Sequence, residues 1–276
     1  MPNLDLAFLG GGNMGRALIS GLLRSGTRPE HIRVGESSAA ARETLARELA
    51  VAATGDNSAA LAGAAVVVLA VKPQDAAAVL EPLGPQLRRE RSLLLSVVAG
   101  VPCSQLAAWC GGGVPVVRAM PNRPAQLGAG ATGLYAPAQV GAAQRAAAER
   151  IARAVGEVVW VPREEDLDVL TALSGSGPAY FLLLAQLMAE SAAELGLAPD
   201  LARRLAVATL YGTGLLAQSG EGDLERLRAE ITSTGGTTQA ALEALAAADF
   251  KGAVARALAA ATRRSRELAT EQALHS

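Results

Sequence analysis

Apolar positions in the first 162 residues fall into short unbroken runs separated by stretches of helical spacing. Leu6-Ala7-Phe8-Leu9 leads into Gly10-Gly11-Gly12-Asn13-Met14-Gly15 and then Leu18, Leu22 and Leu23. This predicts a strand, a glycine turn and a helix over 13 to about 25, ended by Gly26. Further strands are predicted at 32–36, 65–71, 92–98, 114–120, 132–136 and 158–161, with a helix over 139–155, for a sheet of about eight strands. The run Ala65-Val66-Val67-Val68-Leu69-Ala70-Val71 has no polar member. Such runs suit central parallel strands covered on both faces. Past Pro162 the strand pattern stops. Helices are expected at 164–173, 200–218, 223–230 and, as a final pair, 239–273, with Ser174-Gly175-Ser176-Gly177 breaking the first before Pro178 opens a long one.

The predicted architecture is therefore an α/β Rossmann-type domain with a mostly parallel sheet over 1–162, followed by an all-helical domain over 163–276. Phe181, Leu182, Leu183, Leu184, Leu187 and Met188 make the long helix apolar nearly all round. One helical layer cannot cover such a surface, so a second subunit is expected to do so and the helical domain is expected to be a dimerisation domain.

Gly10, Gly12 and Gly15 stand at the G-x-G-x-x-G spacing of a dinucleotide site. The first allows the tight turn, the second lets backbone approach a pyrophosphate, and the third lets helix pack on strand. Free N–H groups and the positive dipole end of a helix starting near Asn13 would face the phosphates, so no basic side chain is needed there. A glycine-rich structural turn is the competing explanation. Glu36 lies about 20 residues further on, where a carboxylate can accept hydrogen bonds from the adenosine ribose. That favours NADH, because a 2′-phosphate beside Glu36 would be disfavoured by about 1 kcal/mol at an exposed site. Ser37, Ser38 and Arg42 are placed to receive the same phosphate, so NADPH stays open.

Half of the residues are hydrophobic, 18% are charged and only 3% are aromatic, so Ala, Leu and Val must build the core. A net charge of −1 without a basic run argues against a nucleic-acid or anionic-membrane partner and leaves a small molecule as the expected ligand. Neither a signal-peptide pattern nor an unbroken apolar run near 18 residues is found, and a cytoplasmic protein is expected. Asp5 is taken as part of the first strand. Cys103 and Cys110 have no C-x-x-C spacing and no nearby His, so inert packing is expected and no metal site. His31 and His275 lie away from every candidate site.

Three loops carry candidate chemistry. Lys72-Pro73 follows the 65–71 strand, at the carboxyl edge where open α/β sheets bind ligands; a solvated strand-end charge is the alternative. Asn57 precedes a short helix and either caps it or reaches the adenosine, capping being the simpler role. Arg118-Ala119-Met120-Pro121-Asn122-Arg123-Pro124-Ala125 is a shaped loop at a strand end, since two prolines exclude helix and central strand. Ile231-Thr232-Ser233-Thr234-Gly235-Gly236-Thr237-Thr238 ends at a helix start, with Thr237 or Thr238 as cap, and offers N–H groups and hydroxyls to a carboxylate.

Over nearly its full length the chain resembles pyrroline-5-carboxylate reductases. Five motifs carry the match: Gly10-Gly11-Gly12-Asn13-Met14-Gly15, Val71-Lys72-Pro73, Arg118-Ala119-Met120-Pro121-Asn122 with Pro124-Ala125, Gly175-Ser176-Gly177-Pro178-Ala179-Tyr180, and Ser233 with Gly236-Thr237-Thr238. The resemblance implies reduction of 1-pyrroline-5-carboxylate to L-proline with NADPH or NADH, by an entwined homodimer or a ring of dimers. It places Asn57, Lys72 and Ala99 near the cofactor, and with the glycine turn and the strand ends the expected cofactor set is Leu9, Gly10, Gly12, Asn13, Met14, Gly15, Glu36, Asn57, Ala70, Val71, Lys72, Pro73 and Ala99. Around the substrate it places Glu164, Ser233, Gly236, Thr237 and Thr238, the last as the catalytic group. Two positions depart from the pattern. Thr234 stands where Pro is usual, and Arg123 where a small Thr is usual.

The chemistry is consistent with the histidine count. A ketone or hydroxy-acid dehydrogenase needs a strong general acid. A protonated cyclic imine already accepts hydride well, so the protein has chiefly to hold its carbon about 3 to 3.5 Å from the nicotinamide. Thr238 or water supplies the proton. The competing enzyme reading is a β-hydroxyacid dehydrogenase, whose lysine four residues past the interdomain glycine motif would fall at Phe181, an apolar ring. A nucleotide-sensing protein of the same fold is the competing non-enzymatic reading, and Thr234 and Arg123 are the features that point to it.

Overall fold

In the computed structural model, which describes residues 4–219 and 223–274, alternate residues of the central strands go to opposite faces of one sheet. Leu6 and Phe8 of β1 (Leu6–Leu9) pack with Val66 and Val68 of β4 (Val66–Leu69) and with Leu93 and Leu95 of β5 (Leu93–Ser96) in one core. Ala7, Leu9, Val67, Leu69 and Leu94 build the other. Both faces are thus buried, which is why these strands carry no polar alternation.

The first core is closed by α1 (Asn13–Arg24), α2 (Ala39–Leu49) and α7 (Ala142–Arg153). Across the sheet, α3 (Asn57–Leu61), α4 (Ala76–Leu80), α5 (Gly84–Glu90) and α6 (Cys103–Trp109) close the second. Among the described residues the strands number eight, in the order β3-β2-β1-β4-β5-β6-β7-β8. They include β2 (Ile32–Gly35), β6 (Val116–Met120), β7 (Gly130–Tyr135) and β8 (Gly156–Trp160). All pairs are parallel except β6 with β7. The sequence reading does not locate β3 (Ala52–Thr54): three small, partly exposed residues on the sheet edge give no periodicity to read.

Other local expectations are corrected by hydrogen bonding. Asp5 precedes β1 and pairs with His31, Oδ1 to Nδ1 at 2.7 Å. His275 lies outside the described residues. The Ser-Gly-Ser-Gly segment does interrupt the α-helix before Pro178, though with a helical turn in place of a loop. After α8 (Asp166–Leu170), residues Thr171–Gly175 form a π-helical turn, and helix resumes in α9 (Gly177–Glu194). Thr171 and Ser174 donate their hydroxyls to Leu167 O and Leu170 O, at 2.7 and 3.0 Å, which satisfies carbonyls that a glycine-rich loop would leave open. By length and composition the stretch Asp166–Glu194 would also pass for a membrane span, although the sequence holds no unbroken apolar run of that size.

Two compact units emerge. One comprises residues 1–175 with 261–276, and the other 176–260. The second consists of α9, α10 (Pro199–Ser219), α11 (Leu224–Glu230), α12 (Thr237–Ala247) and the start of α13 (Phe250–Leu274). In the single chain its helices leave Phe181, Leu182, Leu183, Val207 and Tyr211 more than half exposed, at 61, 63, 53, 59 and 70%. An apolar surface this large marks an interface.

Candidate functional site

The chain leaves β1 at Leu9 and turns at Gly10, whose φ of +99° suits glycine. Gly10 N–H donates to Gly35 O and Ala70 N–H to Leu9 O, both at 2.8 Å. A Cβ on Gly10 would stand 2.7 Å from Ala70 O and 3.1 Å from Val71 Cγ1, and one on Gly15 would stand 2.5 Å from Gly10 O. The turn is therefore wedged against the carboxyl ends of β2 and β4. Gly12 is different: nothing lies within 4 Å of its Cβ position, and it begins α1 without a side-chain cap. The N–H groups of Asn13 and Met14 are left without intrahelical acceptors beneath an open surface, and the first turn carries no acidic residue. These residues fit a dinucleotide pyrophosphate.

Glu36 fastens this turn. Its Oε2 accepts from Gly11 N–H and its Oε1 from Ser38 N–H, both at 2.9 Å, while Arg42 Nη1 donates to Glu36 O and Ser37 O at 2.8 Å. Gly11, absent from the three-glycine spacing, packs closely as well: a Cβ there would lie 2.5 Å from Leu45 Cδ1, so that side chain would have to shift. Asn57 does not cap α3. Asp56 does, its Oδ1 accepting from Ser58 N–H at 2.8 Å and Ala59 N–H at 3.3 Å, which leaves the Asn57 side chain against Gly35. A carboxylate one residue earlier satisfies two orphan donors in place of the amide. Lys72 is exposed ahead of the turn Pro73–Asp75, and Ala99 is exposed beyond β5. Leu9 to Gly15, Glu36, Asn57, Ala70 to Pro73 and Ala99 thus belong to the carboxyl edge of β1, β2, β4 and β5.

Glu164 belongs to the same unit but to another network. Its Oε1 accepts from Cys103 N–H at 2.8 Å, at the start of α6, and from Arg118 Nη1 at 3.2 Å. Arg118 is 6% exposed, and its one signal in the sequence is a cation inside an apolar strand. Burial, with Glu164 beside it, pushes the Cys103 thiol up to about 12, and burial pushes Cys110 up to about 11, so both stay protonated and inert at neutral pH. Burial and Glu164 also raise Tyr135.

Ser233, Gly236, Thr237 and Thr238 lie in the second unit. Neither threonine is the cap. α12 starts at Thr237 behind Gly236, which has extended backbone and no side-chain cap bond. Gly235, at φ +73°, donates its N–H to Gln239 Oε1 at 2.7 Å, and Gly236 N–H to Ser233 O at 3.0 Å. The glutamine at the third helical position reaches back past the cap to the loop and leaves the first N–H groups of the helix itself uncapped. The hydroxyls of Thr237 and Thr238 are thereby released, and their N–H groups have no intrahelical acceptor. Ser233 and Thr237 are exposed and Thr238 is half-buried.

A model of the pyrroline-5-carboxylate reductase dimerisation domain matches residues 164–268, and one described as NADP oxidoreductase, coenzyme F420-dependent, matches residues 5–100. A pyrroline-5-carboxylate reductase of Pseudomonas aeruginosa is 46% identical over 271 residues, covering 98% of this chain and 99% of the relative. The chain belongs to the pyrroline-5-carboxylate reductase family. A family member of known structure, from Coxiella burnetii, superposes with a TM-score of 0.94 at 38% identity, covering 97% of this chain and 99% of its own. The Plasmodium falciparum pyrroline carboxylate reductase, solved with NADP bound, superposes at 0.82 with 27% identity, covering 98% and 99%. The dimerisation match takes in the whole exposed apolar face of α9 and α10, so a second subunit accounts for that surface.

Proposed function

We propose roles for the residues of an NAD(P)H-dependent reductase that adds hydride to the carbon of the protonated C=N bond of 1-pyrroline-5-carboxylate, leaving the C–N single bond of L-proline. NAD(P)H, when bound, supplies the hydride. Leu9, Gly10, Gly12, Asn13, Met14 and Gly15 hold its pyrophosphate, Glu36 and Asn57 border the adenosine, and Ala70, Val71, Lys72, Pro73 and Ala99 line the way to the reacting ring. The uncapped start of α12 is the observation that carries the substrate side. N–H groups at Gly236–Thr238 take the substrate carboxylate, Ser233 and Glu164 border it, and Thr238 Oγ1 hydrogen-bonds the ring nitrogen, keeping the imine oriented. Thr234 in place of the usual Pro leaves this loop to Gly235–Gln239 and Gly236–Ser233 bonds for its shape.

The domain division proposed for function is 1–162 for cofactor and 163–276 for dimerisation and substrate. The working unit is a homodimer or a ring of such dimers, in the cytoplasm, without nucleic-acid or membrane partners. Consumption of NADPH and NADH with pyrroline-5-carboxylate, against 3-hydroxyacids, tests the reading. Turnover is expected with the imine alone; turnover of the hydroxyacids, or of neither, would overturn it. Phe181 speaks against the hydroxyacids, since it cannot act as an acid or base.

A further inference from the structure

The last helix, α13, returns to the first unit, where residues 261–276 belong. Of its side chains over residues 250–271 only one is buried, and it is polar: Ser265, 9% exposed. Ser265 Oγ hydrogen-bonds Asp168 Oδ1 at 2.7 Å, Asp168 is itself 9% exposed, and Arg266 Nε stands 3.9 Å from Asp168 Oδ2. One turn further along, on the same face, the helix backbone runs beside Gly100 with room for one carbon between them: a Cβ there would lie 3.7 Å from Leu268 C and 3.8 Å from Ala269 N.

Gly100, at φ +77°, directly follows Ala99 at the carboxyl edge, in the turn that joins β5 to α6. The far end of that turn is held by Glu164 through Cys103 N–H. Glu164 and Asp168 are four residues apart, and Leu167 between them is fully buried. One short segment therefore grips the 99–103 turn at one end directly and at the other through the last helix.

We propose that Asp168 and Ser265 are a positioning pair, which seats α13 on Gly100 and so fixes the 99–101 backbone against the bound dinucleotide. The inference rests on the cofactor role proposed for Ala99. Nothing in the pair touches substrate or cofactor, so its loss acts on dinucleotide affinity ahead of imine affinity.

The test measures NADPH affinity by fluorescence titration of the intact dimer, alongside steady-state kinetics, for Ser265→Ala, Asp168→Ala, the double variant, Ser265→Thr and Asp168→Asn. Each alanine variant is expected to raise the NADPH Kd about fivefold, the effect of one hydrogen bond, with KM for the imine changed less than about twofold. The double variant should be no worse than either single one. Ser265→Thr keeps the hydroxyl and Asp168→Asn keeps an acceptor, so both should stay within about twofold of the unsubstituted chain. Unchanged Kd values in the alanine variants overturn the proposal. So does a parallel fall in all parameters that follows the folded fraction and that the conservative variants do not rescue. Failure of the unsubstituted chain to bind NADPH would sink the functional reading itself, and the inference with it.

Discussion

The helix starts at Asn13 and at Thr237 both leave backbone N–H groups without a side-chain cap, yet the chain surrounds them very differently. At Asn13 the preceding turn is wedged between Gly35, Ala70 and Leu45 and tied by Glu36, all within one unit. At Thr237 the preceding loop is exposed, and its shape comes from two local bonds, Gly235 to Gln239 and Gly236 to Ser233. A phosphate site made of backbone must be rigid before the ligand arrives, and a folded sheet edge provides that. The threonine loop sits instead on helices whose apolar faces need a second copy. Cofactor binding should therefore survive insults to the dimer that abolish turnover.

The largest effect is expected from Leu183→Glu. Leu183 is 53% exposed in the single chain and lies within the dimerisation region, so the substitution buries an unpaired carboxylate at the interface, at a cost of several kcal/mol. Light scattering should show loss of the dimer and the NAD(P)H assay loss of turnover; an active dimer would break the comparison at its root. Thr238→Val comes next. It removes the hydroxyl proposed to orient the imine, and kcat/KM should fall by about 2 to 4 kcal/mol, mostly in kcat, with NADPH affinity unchanged. Because Gly236 is the cap position, the variant should fold normally. Normal turnover would assign the proton to water and leave Thr238 with no chemical role.

The glycine turn, the sheet and the helical second half were legible from the sequence because each rests on periodicity or on a steric need that only glycine meets. The sites where the reading failed share a cause. Asp56 displaces Asn57 as cap, Gly236 and not a threonine stands at the cap position of α12, and the Thr171 and Ser174 hydroxyls hold a helical turn in place of the expected loop. In each, the outcome turns on which backbone group a short polar side chain bonds or leaves open, and spacing alone does not decide that. β3 escaped because three small edge residues have no pattern. Asp168 and Ser265 stand 97 residues apart, and no local signal joins them.

A smaller effect sharpens the cofactor half of the comparison. Glu36→Ser deletes the acceptor of Gly11 N–H along with a carboxylate proposed to border the adenosine, so two effects act together. Loss of the tie should weaken NADH and NADPH alike. Loss of the charge should shift the NADH to NADPH ratio toward NADPH by about tenfold, or about 1.4 kcal/mol. Titration with both dinucleotides separates them: a common loss with no change in ratio would make Glu36 a fastener of the turn and nothing more.

The smallest effect concerns the core that makes the first unit self-contained. Thr132, in the middle of β7, is 3% exposed and its Oγ1 has no hydrogen-bond partner, although the chain satisfies its other buried polar side chains among the described residues. Leu134, two residues along and so on the same side of the strand, belongs to the core under α1 and α7. Thr132→Val replaces the hydroxyl by a methyl of nearly equal size. It removes a desolvation cost without opening a cavity, and should stabilise by about 1 kcal/mol, or about 2 to 4 °C in Tm. Calorimetry of the dimer then asks which half sets its stability. If the units melt separately, only the first transition should rise. If they melt as one and Tm rises, the Rossmann core limits the whole assembly. A fall of similar size would mean that the Thr132 hydroxyl stabilises the strand, and that the first unit is less completely built than its packing indicates.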